Sequence, residues 1–75
     1  MSTATLTTPL FDQVCEALTL NPHVPYQNVR VEAADGRVTL KGHVTTFFQK
    51  QMAQEAVRRV DGVEHIDNLL QVNWA

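Results

Sequence analysis

Val29-Arg30-Val31-Glu32-Ala33-Ala34-Asp35-Gly36-Arg37-Val38-Thr39-Leu40-Lys41-Gly42-His43-Val44 is the stretch that decides the fold of this chain. Two alternating runs flank Asp35-Gly36, and an Asp-Gly pair suits a two-residue turn because such a turn needs positive φ. A turn at that point sets the register. Ala34 then faces Arg37, Ala33 faces Val38, Glu32 faces Thr39, Val31 faces Leu40 and Arg30 faces Lys41. Apolar residues meet apolar ones and polar residues meet polar ones, so turn chemistry and binary pattern agree.

Upstream, Leu10, Phe11, Val14, Cys15 and Leu18 recur at helical spacing, with Thr8 placed to cap and Pro9 at the first helical position. Asn21-Pro22 stops this helix, and Pro22 and Pro25 bracket a short loop. Downstream, Thr46 and Gln49 form a capping-box pattern that opens a second helix. Phe48, Met52, Ala56 and Val60 make its apolar stripe, widened by Ala53 and Val57. Phe47 is expected to pack on the first helix, or else to form an apolar contact point. Asp61-Gly62 ends the second helix, and a last strand begins near Val63. Ile66, Asn68, Leu70, Val72 and Trp74 share its inner face, with Asn68 as a turn or bulge residue near its start that hydrogen-bonds to backbone.

The order helix, strand, strand, helix, strand predicts an α+β fold: a two-layer αββαβ domain whose three-stranded mixed sheet carries both helices on one face. Residues 1–8 read as a flexible N-terminal tail and residues 9–75 as the domain. The Val38–Val44 strand is expected in the centre. The inner face then buries Val29, Val31, Ala33, Val38, Leu40 and Val44.

Seventy-five residues hold one small domain with a small core. The net charge of −2, spread over both signs, lacks the basic footprint of a nucleic-acid binder. The sheet face also lacks aromatic residues for stacking RNA bases. The first residues have no basic segment and no apolar run of signal-peptide length, and no stretch is long enough to span a membrane. The chain therefore reads as cytoplasmic, with the periplasm or envelope as the setting if it is part of a longer protein.

A search for chemistry finds little. Cys15 is the one cysteine and reads as an inert buried thiol. His23 has no evident partner. His43, His65 and Asp67 share the outward phase and are residue types that zinc accepts, yet exposed histidines on an open sheet face are far commoner. No nucleophile–base pair or paired carboxylates stand out, so the expectation is no enzyme, no metal and no cofactor. What remains is the open sheet face. Arg30, Arg37 and Lys41, tempered by Glu32 and joined by His43, form a small basic surface suited to an acidic partner or an anionic headgroup. The outer edge of the Asn28–Ala34 strand offers a second surface, for another chain or a second copy.

The ordered set of Leu18, Asn21-Pro22, Val29-Arg30-Val31, Asp35-Gly36 through Val44, Ala53, Ala56, Val60, Gly62-Val63, Ile66 and Asn68-Leu69-Leu70-Gln71-Val72 resembles the BON domain of bacterial osmotic-shock and nodulation proteins. Gly36, Gly42 and Gly62 fall where that pattern requires glycine, and their spacing fits no phosphate-binding loop. Gly42, opposite Val29, is expected to let a helix approach closely. The resemblance implies a non-catalytic, transport-associated binding module that associates with phospholipid or cell-envelope components. The alternative is a cytoplasmic protein-interaction or self-association module.

Overall fold

A computed structural model describes residues 9–73. The expected tail over 1–8, the Thr8 cap and the inner placement of Trp74 lie outside those residues. Helix α1 runs Pro9–Leu20 and is followed by a single 3₁₀ turn, Tyr26–Asn28. Strand β1 is Val29–Ala34, β2 is Arg37–Val44 and helix α2 is Phe47–Arg58. The last strand comes in two short segments, β3 (His65–Asn68) and β4 (Gln71–Val72). Strand β2 is central, antiparallel to β1 and parallel to β3 and β4, which gives the expected mixed sheet.

The hairpin follows its sequence pattern residue by residue, from Ala34 opposite Arg37 to Val29 opposite Gly42. Asp35 and Gly36 have φ of 53° and 80°, as a two-residue turn of this hand needs. The Gly36 carbonyl then accepts from the N–H groups of Glu64 and His65, at 2.7 and 3.2 Å, and so anchors the start of the last strand.

Val14, Leu18, Val38, Leu40, Val44, Ala53, Val57 and Leu70 are buried in one core. Each large member contributes roughly 1.5–3 kcal/mol relative to exposure, so these few side chains dominate the stability of so short a chain. Val29, Val31 and Ala33 are only half-buried, because β1 is the outer strand and the helices cover its inner face in part. Val24, between the two prolines, joins the core, so the loop is a packed part of the domain.

Several expectations change. Helix α2 is centred on Ala53 and Val57, the two residues it buries fully. Phe48 lies five residues from Ala53, about 140° around the helix at 3.6 residues per turn, and is 52% exposed rather than part of the stripe. Phe47 is also exposed. Gln49 holds the core-facing line one turn before Ala53, where it serves the cap. Thr46 Oγ1 accepts from Gln49 N–H at 3.0 Å, but Gln49 Oε1 accepts from Thr45 N–H at 2.8 Å and from the Thr45 hydroxyl at 3.0 Å, one residue earlier than a capping box has it. The helix ends at Arg58, a turn before Gly62.

Asn68 sits at the end of β3 rather than near a strand start and is not a bulge, but it bonds to backbone as expected and makes a local turn contact two residues on. Leu40 pairs with Asn68 and His43 with Gln71, so no residue is inserted between the two segments. Its side chain is a brace. Nδ2 donates to the Lys50 carbonyl at 3.0 Å and to Gln54 Oε1 at 3.2 Å, while Oδ1 accepts from Leu70 N–H at 3.3 Å.

The close approach at Gly42 comes from the main chain of the turn just before β1 and not from helix α1 or α2. A Cβ built there falls on the Asn28 carbonyl oxygen, well inside contact distance, and 3.1 Å from its carbon. Its φ of 120° is one that side chains with a Cβ rarely adopt.

Candidate functional site

The open face of the sheet carries Arg30, Glu32, Lys41, His43, His65 and Leu69 as exposed side chains, with Thr39 and Asp67 partly covered. Alternation along the strands puts them there, since the opposite phase is committed to the core. Two ion pairs cross this face. Arg37 Nη1 lies 3.7 Å from Asp67 Oδ2, joining β2 to β3, and Lys41 Nζ lies 3.4 Å from Glu32 Oε2, joining β2 to β1. Both pairs are solvated, so each contributes less than about 1 kcal/mol.

The four expected site residues divide. Arg30, Lys41 and His43 line one shallow groove of about 570 Å³ at the open end of the hairpin, together with Gln27, Asn28, Val29 and Gly42. Arg37 does not belong to it. It stands beside the Asp35–Gly36 turn, at the other end of β2, and is engaged with Asp67.

Within the groove Arg30 faces Lys41 directly across the β1–β2 ladder. Like charges so placed repel. Glu32 relieves Lys41 from the diagonal position, while Arg30 has no ion-pair partner among the described residues. Gly42 and Asn28, whose main chains pass close to each other, also line the groove. The result is a recess rimmed by two cations and an imidazole, with polar main chain in its lining.

The other notable side chains fall elsewhere. His43 pairs with Gln71 and His65 is opposite Arg37, so the two histidines are six residues apart along β2, roughly 20 Å at strand rise. The zinc arrangement of His43, His65 and Asp67 is therefore not assembled. His23 has a partner that its sequence position does not reveal: its ring meets Phe48 edge to face at 4.9 Å. Cys15 is half-buried rather than buried. It meets the phenol of Tyr26, and this contact, with burial second, holds the Tyr26 hydroxyl above its ordinary pKa. A second groove, of about 460 Å³, runs between the end of α1 and α2, lined by Leu20, Pro22, His23, Ala56 and Val60 among others.

This architecture is shared with a known family: the family model described as BON domain matches residues 8–73. The chain belongs to the BON domain family. BON domains are non-catalytic binding modules. No curated protein matches this BON domain. Among its described residues no helix is long and apolar enough to cross a membrane.

Proposed function

We propose that this BON domain associates with anionic phospholipid surfaces through the groove at the open end of its hairpin. The observation that supports this reading is the direct opposition of Arg30 and Lys41. A headgroup phosphate placed between them converts a repulsive pair into two attractive contacts, and His43 supplies a further donor from the same rim. Leu69 is 56% exposed on the same face. Its N–H donates to the Leu40 carbonyl at 2.8 Å, which seats Leu69 beside Lys41 as an apolar contact for the interfacial region. The occurrence of BON domains in periplasmic and envelope proteins adds a setting in which such surfaces are met.

The affinity is modest. Each cation near an anionic surface contributes roughly 1 kcal/mol, and the net charge of −2 works against approach. Sedimentation with vesicles of phosphatidylglycerol in phosphatidylcholine tests the reading, with pure phosphatidylcholine as control. Binding is expected at low salt and lost at high salt, because the screening length shrinks to about 3 Å at 1 M. The double variant R30Q/K41Q is expected to bind about 30-fold more weakly, from two cations at roughly 1 kcal/mol each, while R37Q stays close to wild type. Absence of binding at low salt sinks the proposal, as does equal loss in R37Q. The self-association reading rests on a different part of the molecule, the outer edge of β1.

A further inference from the structure

Strand β1 ends the sheet on one side, and among the described residues no other strand pairs with its outer edge. The two-residue turn makes Ala34–Arg37 a hydrogen-bonded pair, and alternation extends this to Glu32–Thr39 and Arg30–Lys41. The main-chain groups of Val29, Val31 and Ala33 therefore point outward. Of these, the Val29 N–H is already taken by the Tyr26 carbonyl. Val31 and Ala33 keep both groups for a neighbour, and Val29 keeps its carbonyl.

We infer that a second copy of this chain pairs with β1 in antiparallel fashion, about a two-fold axis at Val31, so that Arg30 of each copy faces Glu32 of the other. The main chain restricts the registers. An outward-pointing residue must meet an outward-pointing residue, so only shifts that set Val29, Val31 and Ala33 against one another make a ladder. Charge chooses among those. An axis at Arg30 puts Arg30 opposite its own copy, and an axis at Glu32 does the same for Glu32. Both juxtapose like charges. The axis at Val31 sets Arg30 against Glu32 twice, in the close non-hydrogen-bonded positions, and gives the unpaired Arg30 a counter-charge.

In that register the two Val31 residues exchange both of their bonds, and each Ala33 N–H donates to the Val29 carbonyl of the other copy. The half-buried Val29, Val31 and Ala33 side chains align on the inner face, where their remaining exposed surface is covered. The two open faces become one continuous surface. The edge strand is thus a self-complementary docking element, and its pattern of single charges two residues apart specifies the partner.

Light scattering and sedimentation equilibrium without vesicles test this. The wild-type mass should move from one copy to two as concentration rises, and high salt should weaken the association. R30E and E32R should each weaken it about tenfold, because two attractive cross-strand pairs become repulsive. The double variant R30E/E32R should restore it to within about threefold of wild type, since the charges are exchanged and the carboxylate then at position 30 also faces Lys41. Amide exchange of the unaltered protein gives an independent reading: Val31 and Ala33 should gain protection with concentration, whereas Arg30 and Glu32, already bonded to β2, should not. A single-copy mass up to millimolar protein overturns the inference. So does a double variant that is folded by circular dichroism yet no more associated than the single ones. R30E/E32R also separates the two proposals, because it restores the two-copy mass while the carboxylate then at position 30 weakens vesicle binding.

Discussion

Replacing Gly42 by alanine probes the tightest point of the fold. Residue 42 has φ of 120°, and its missing Cβ is where the Asn28 carbonyl oxygen lies. The conformational strain alone costs about 1–3 kcal/mol. Forcing the Asn28 main chain aside costs about another 1–3 kcal/mol, as overpacking does elsewhere. The expected loss is therefore about 2–6 kcal/mol, against a total near 4–11 kcal/mol for a chain of this length. At roughly 4–8 °C per kcal/mol, the midpoint of thermal unfolding should fall by at least about 8 °C. Gly62→Ala is the control. Its φ of 97° is also strained for alanine, but the new Cβ meets only Leu10 Cδ1 at an ordinary 3.7 Å. Gly36→Ala is intermediate, since the flexible Glu64 side chain, 3.1 Å from the new Cβ at its nearest atom, is able to swing away. Urea denaturation followed by far-ultraviolet circular dichroism should rank G42A well below G62A, by about 1–3 kcal/mol. Equal losses in G42A and G62A would refute the steric argument and leave backbone strain as the only cost.

Asn68→Ala removes the brace between β3 and α2 and leaves the partly buried Leu70 N–H without its acceptor, so denaturant titration should show a loss of about 1–3 kcal/mol. Thr46→Ala deletes the α2 cap and should cost about 1 kcal/mol in the same titration, with Thr46→Ser close to wild type. Tyr26 makes stability sensitive to alkali. Its pKa is raised in the folded state, so the folded chain holds that proton more tightly than the unfolded one. The stabilisation is complete below the ordinary tyrosine pKa of 10.0 and is lost as pH rises through the folded-state value. Unfolding midpoints recorded from neutral pH to above 10 should decline at the alkaline end, and Tyr26→Phe should flatten that decline.

Much of the fold is legible in the sequence because the signals are local. The Asp35-Gly36 turn needs only its own backbone, and a two-residue turn leaves one register for the strands it joins. The helix boundaries at Pro9 and Thr46 come from the same kind of short-range chemistry. The open face could be read too, since strand alternation separates Arg30, Lys41 and His43 from the core phase. The sequence did not reveal how those cations group. Arg37 has the right charge and phase, yet β3 brings Asp67 beside it, and that pairing is a contact between residues distant in the chain.

The same division accounts for the other changes. Phe48 lies within the apolar pattern of α2, but only the placement of the helix on the sheet decides that Ala53 and Val57 form the centre of its buried face. Gly42 is expected from the pattern as a glycine, whereas the atom that excludes a side chain there belongs to Asn28, in the turn just before β1. Asn68 looks like a break in a strand and acts as a brace to Lys50 and Gln54. The sequence by itself determined the turn, the hairpin register, the helices and the two faces of the sheet, because each follows from sterics and periodicity over a few residues. Tertiary structure alone decided which cations share a groove and which residues of α2 face the core. Those depend on where the last strand and the helices dock, and a packing surface is assembled from side chains that are far apart along the chain.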